Sequence, residues 1–167
     1  FYKKNKKMKT VKRLLTGIAM FALTGCAATL PIAKTQAEPP VPPAGVSFQF
    51  FYDNLSPYGS WVSYPSYGYV WIPRAAPGFR PYFSSGHWVH TYDGWMWVSM
   101  YDWGWAPFHY GSWMYDPFYG WLWVPGYHWA PAWVTWGYYS GYYGWAPVGP
   151  GVGYSYTYYP PMDYWVF

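Results

Sequence analysis

Cysteine is all but missing from this 167-residue chain. Cys26 stands alone, so no disulfide can form within it and the fold must be held by packing. Lysine is missing after Lys34. From Glu38 onward two arginines, Arg74 and Arg80, meet six acids, although the whole chain carries a formal net charge of +4. No basic stripe is left there to follow a phosphate backbone, which excludes nucleic acid as a partner. An apolar stripe of helical period is missing too, because Gly and Pro recur every few residues, and nothing in the body of the chain reads as helix.

Signatures of catalysis are equally scarce. There is no H-E-x-x-H, no G-x-S-x-G, no P-loop and no nucleophilic cysteine in the body. The histidines are His87, His90, His109 and His128; the first two are three apart and point to opposite faces of a strand. Asp93 and Asp116 sit in turn sequences, where Asp is ordinary, and Asp53-Asn54 reads as loop. The sequence therefore predicts a non-enzymatic protein with no catalytic residue, no metal site and no cofactor. A hydrolase of envelope polymers is left as an alternative without an assigned residue.

The lysines gather at the N-terminus instead. Lys3 to Arg13 form a cationic run, Leu14 to Ala33 are apolar or small, and Thr35-Gln36-Ala37 offers the small-x-small pattern of a signal-peptidase site. Residues 1–37 are expected to be a signal peptide starting at Met8. Gly17, Gly25 and Pro31 interrupt the run too often for a retained anchor. Leu23-Thr24-Gly25-Cys26 resembles a bacterial lipobox, which makes Cys26 a lipidation candidate. The two processing sites compete: cleavage before Cys26 gives a lipid-anchored protein, cleavage after Ala37 a soluble one. Membrane contact is expected only through the leader or a lipidated Cys26. Residues 38–45, "EPPVPPAG", read as a stiff Pro-rich linker and 46–147 as the folded domain. Residues 148–167 read as a loose Gly/Tyr/Pro-rich tail with a closing strand near 164–167.

Aromatic residues are abundant, at 28% of the chain, and they recur in a pattern. "GSWVSYPSYGYVWIP" begins at Gly59, "GHWVHTYDGWMWVS" at Gly86 and "GSWMYDPFYGWLWVP" at Gly111. Each reads as a β-hairpin closed by a four- or five-residue break ending in Gly. A second element, G-W-A-P, occurs at Gly104, where it reads as a connector, and again at Gly144. Opposing the tryptophans pairs Trp61 with Trp71, Trp88 with Trp97 and Trp113 with Trp123. The same register pairs Ser63 with Tyr69, His90 with Trp95 and Tyr115 with Trp121, all on one face. The other face then carries Val62 with Val70, Val89 with Met96 and Met114 with Leu122. The predicted fold is all-β: tandem hairpin repeats in a small antiparallel sheet, sandwich or curled barrel. Arms this short fall below the roughly nine to eleven residues of a membrane-spanning strand.

The aromatic face is expected to be the core, with the aliphatic face thinner and partly exposed, since large aromatics are more often buried than displayed. The alternative is an open Trp/Tyr platform for glycans or peptidoglycan, whose C–H faces pack on rings, or for envelope proteins. On that reading the ligand-contact candidates are Trp88, Trp95, Trp97, Trp113, Tyr115, Trp121 and Trp123.

Three stretches carry a family resemblance: "FYDNLSPYGSWVSYPSYGYVW" (51–71), "WGWAPFHYGSW" (103–113) and "YGWLWVPGYHWAPAWVTW" (119–136). They resemble the exported, aromatic-rich bacterial proteins of domain of unknown function 6600, akin in style to YXWGXW-repeat proteins. The strict Y-x-W-G-x-W spelling is absent; Tyr101-Asp102-Trp103-Gly104-Trp105 comes nearest. The resemblance implies a protein of the Gram-negative periplasm or outer membrane. It supplies no activity and no site residue.

Overall fold

The computed structural model describes residues 46–152 and 159–167, all within the unit spanning 36–167. The leader, Cys26, the cleavage site after Ala37, the linker and the middle of the tail lie outside the described residues. Eight strands form four antiparallel hairpins: β1 (Gly59–Tyr64) with β2 (Gly68–Pro73), β3 (Gly86–Thr91) with β4 (Gly94–Ser99), β5 (Tyr110–Asp116) with β6 (Gly120–Trp129), and β7 (Val134–Tyr139) with β8 (Tyr142–Pro147). The first and third merge through β2 and β6 into one sheet of order β1-β2-β6-β5. The second and fourth remain two-stranded, and these strands do not close into a barrel.

The expected register is observed pair for pair, from Trp61↔Trp71 to His90↔Trp95 and Met114↔Leu122. Because β2 meets β6 at Trp71↔Trp123, the tryptophans Trp61, Trp71, Trp123 and Trp113 stand in one row across the four strands. Trp71, Trp113 and Trp123 are fully buried in that row. Trp123 meets Phe51 edge-on at 5.0 Å, and Trp71 meets Trp103 at 5.1 Å. Buried indoles need a partner for their N–H: Trp71 Nε1 donates to the Leu55 carbonyl (3.2 Å) and Trp123 Nε1 to that of Tyr110 (2.6 Å). The indole N–H groups of Trp61, Trp88, Trp97 and Trp113 have no acceptor among the described residues; they sit among ring edges and faces, as in the T-shaped Trp88–Trp97 pair at 5.3 Å.

The glycine opening each repeat has a specific task. A Cβ on Gly59 would lie 2.6 Å from Trp71 Nε1, one on Gly86 2.5 Å from Trp97 Cε2, and one on Gly111 2.9 Å from Trp123 Nε1. In each hairpin, then, the indole of the return strand covers the bare backbone diagonally opposite.

Several expectations are corrected. A helix does exist: α1 (Phe48–Leu55), capped by Ser47 Oγ, which accepts from Phe50 N at 3.2 Å. Its inward residues, Phe51 and Leu55, are fully buried, but two turns of half-aromatic sequence are too short to display a period. Asp53 and Asn54 consequently lie on α1 rather than in a loop, with Gln49 Nε2 donating to Asp53. The turns are tighter than four or five residues: pairing runs to Tyr64↔Gly68, Thr91↔Gly94 and Asp116↔Gly120, with the glycines at φ +71°, +103° and +75°. The second G-W-A-P, at Gly144, belongs to β8 of the fourth hairpin. That hairpin escapes the repeat pattern because its paired Trp136 and Trp145 lack the leading G-x-W. The closing strand of the tail shortens to one bridge, Val166 with Trp145.

Burial is divided along the strands rather than between the faces. Trp71, Trp97, Trp113 and Trp123 are shut away, while Tyr69, Trp95 and Tyr115 on the same face, nearer the turns, are about half exposed. On the aliphatic face Val70 and Leu122 are buried, whereas Val62, Val89, Met96 and Met114 are intermediate.

Candidate functional site

Of the seven aromatics singled out as ligand contacts, Trp97, Trp113 and Trp123 belong to the core, exposed by 2% or less, and offer no surface in this conformation. The other four separate into two cavities. Tyr115 and Trp121 go to one, Trp88 and Trp95 to the other.

The first cavity has a volume of about 540 Å³. Hairpin β5–β6 supplies Tyr115, Tyr119 and Trp121 from its turn end, where strand alternation puts Tyr115 and Trp121 side by side (5.6 Å, T-shaped). The turn itself is locked by Asp116, whose Oδ1 accepts from Phe118 N (2.8 Å) and Tyr119 N (2.9 Å). Its Oδ2 accepts from the Tyr64 hydroxyl at 3.1 Å, which ties the first hairpin to the third. These backbone donors, with the tyrosine behind them, hold the Asp116 carboxyl below the usual carboxylate range.

The segment between β2 and β3 brings Phe79 and Arg80 to the same cavity, and the C-terminal segment brings Asp163 and Tyr164. Arg80 is held in place: one guanidinium nitrogen donates to the carbonyls of Asp163 (2.9 Å) and Trp165 (3.0 Å). Tyr164 rests on Trp121 at 4.8 Å. The cavity therefore joins aromatic rings to phenol, guanidinium and carboxylate groups, the mixture that small polar ligands need. Tyr119 carried a sequence signal, its place in a turn. Arg80, Asp163 and Tyr164 carried none, since about eighty residues separate Arg80 from its carbonyl partners and only the fold closes that gap.

The second cavity, about 490 Å³, lies where the aromatic faces of hairpins β3–β4 and β7–β8 meet; it is lined by Trp88, Trp95, Trp136 and Tyr143. Trp136 and Tyr143 went unseen because their hairpin did.

Among the described residues the histidines and acids form no cluster of three. His109 is buried with its Nδ1 on the Ala130 carbonyl (3.1 Å), and burial pushes its pKa below the ordinary value. His87, His90 and His128 are exposed. Among the described residues no group of three His, Cys, Asp or Glu side chains could hold a metal ion. Nor is any described helix long and apolar enough to cross a membrane.

Residues 52–152 match a family described as "Family of unknown function (DUF6600)". No curated protein and no solved structure matches the chain.

Proposed function

The chain belongs to this family of unknown function, and on that premise we propose that it is a non-enzymatic module of the cell envelope that binds a cell-wall glycan at the Trp121 cavity. The observation that carries this reading is the meeting of Trp121, Tyr115 and Tyr119 with Arg80 and Asp163 around one cavity. Sugar rings offer apolar C–H faces to indole and phenol, while their hydroxyls need donors and acceptors, here the Asp163 carboxylate and the tyrosine hydroxyls. Arg80, already fixed by two carbonyls, loses little freedom when a ligand arrives. The basic, then apolar leader supports export to the periplasm or outer membrane, free or tethered at Cys26. Envelope proteins are a second class of partner, favoured by the exposed tyrosines Tyr138, Tyr139, Tyr142 and Tyr143 on hairpin β7–β8.

Retention on purified peptidoglycan tests the first reading. Trp121→Ala is expected to weaken retention about tenfold, the loss of one stacked ring, while Trp95→Ala leaves it intact. Undiminished retention by a folded Trp121→Ala protein would sink the glycan site.

A further inference from the structure

We propose that the cavity between hairpins β3–β4 and β7–β8 is a second, independent site that takes a small quaternary ammonium cation. Among the described residues its lining is wholly aromatic: Trp88, Trp95, Trp136 and Tyr143. Period-two alternation explains why. Trp88 and Trp95 share the face of β3–β4 that carries Trp97, and Trp136 and Tyr143 share the face of β7–β8 that carries Trp145. At their bases the two faces are closed by ring contacts, Trp88 with Trp136 at 4.9 Å and with Trp145 at 5.6 Å. Toward the turns they part, leaving Trp95 50% exposed, Trp136 47% and Tyr143 77%. Trp95 is steadied by His90, which meets it edge-on at 5.1 Å.

Three features select the ligand. A lining without carboxylates, amides or hydroxylated side chains other than one phenol cannot satisfy the many hydrogen bonds of a sugar, so the chemistry differs from that of the Trp121 cavity. Indole and phenol faces carry the negative side of a quadrupole and attract cations, most strongly over Trp. A quaternary ammonium suits such rings because it has no N–H to leave unsatisfied and covers its charge with methyl groups. Charge agrees: no Lys or Arg lines the cavity, and from residue 46 onward two arginines meet five aspartates. A phosphocholine headgroup would also bring an anion, for which the lining holds no basic partner. The fit is therefore to the free cation, of choline size and without an anionic group of its own.

The test compares choline with its neutral isostere 3,3-dimethylbutan-1-ol, which has the same shape and no charge, by calorimetry and by the indole N–H signals of the full chain. Choline is expected to bind about tenfold more tightly than the isostere, as a partly desolvated cation–π site requires. Trp95→Phe should weaken it and Trp136→Ala abolish it, while Trp121→Ala changes nothing. Saturating glycan should leave choline binding unchanged, so this site and the glycan site stand or fall separately. Equal binding of the two probes, binding of neither, or indifference to both Trp95→Phe and Trp136→Ala would overturn the proposal. Stronger retention on phosphatidylcholine vesicles than on free choline would overturn the choice of a free cation.

Discussion

His109 shows how a single residue in an aromatic core gains a pH signature. Its imidazole is buried against Trp129, stacked at 5.7 Å, and Nδ1 donates to Ala130. Burial disfavours the charged ring, so the folded protein resists a proton that the unfolded chain accepts near pH 6.5. Stability is therefore complete above that value and declines as pH falls below it toward the lowered folded pKa. Urea midpoints measured across this range should drop for the wild type and flatten for His109→Gln. Asp116 acts in the same direction at lower pH: its pKa is depressed by the turn amides, so its contribution holds above the ordinary carboxylate value and is lost as pH falls through the folded one. The hydrogen bond that Tyr64 donates to Asp116 pushes its phenol up.

At the scale of the hairpin, two positions matter more than their size suggests. Gly86 lies beneath the Trp97 indole, and a Cβ there would also come within 2.7 Å of the Val98 carbonyl. Gly86→Ala should cost about 1–3 kcal/mol, the usual penalty for overpacking a filled site, read as a lowered unfolding temperature. Ser140 presents the opposite case. It opens the β7–β8 turn at φ +50°, followed by Gly141 at +92°, the pair of positive angles of a type I′ turn. Asn tolerates that conformation better than Ser does, so Ser140→Asn should stabilise the fold by about 1 kcal/mol or less, read as a raised unfolding temperature.

Across the whole molecule, Tyr82 joins parts that are distant in sequence. Its ring stacks on Trp88 (6.1 Å, 9°) and meets Phe108 at 5.2 Å. Its hydroxyl donates to the Phe108 carbonyl (3.1 Å) and accepts from Trp133 N (3.1 Å), and its carbonyl accepts from Trp145 Nε1 at 2.8 Å. Hairpins β3–β4 and β7–β8 are thus pinned to one residue, through its ring and its main chain, held at φ +56° where only surrounding structure can keep a non-glycine residue. Tyr82→Phe should cost about 1–3 kcal/mol by removing the hydrogen bonds its hydroxyl makes with Phe108 O and Trp133 N. Calorimetry would show this as a lowered transition temperature, and choline binding should weaken with it because the second cavity spans both hairpins.

Strand pairing was legible in the sequence because it depends on nearest neighbours along the chain. Period-two alternation and a glycine at each turn leave one register that opposes Trp88 to Trp97, and the structure has it. Helix α1 was hidden by its brevity, and the fourth hairpin by the want of a leading G-x-W. What no local reading could decide is shown by G-W-A-P, which occurs twice. At Gly104 it is a run of turns, with Gly104 N donating to Tyr101 O and Ala106 N to Trp103 O. At Gly144 it is strand β8, where Trp145 exchanges both backbone hydrogen bonds with Val166. The same four residues take whichever form their distant partners complete, since a short segment gains too little from itself to choose. The division of the tryptophans followed the same logic. The sequence determined that they share a face; only the meeting of separate hairpins decided that Trp97 and Trp123 turn inward while Trp95 and Trp121 line cavities. Burial is a property of what packs above a residue, and here that is supplied by chain far away in sequence.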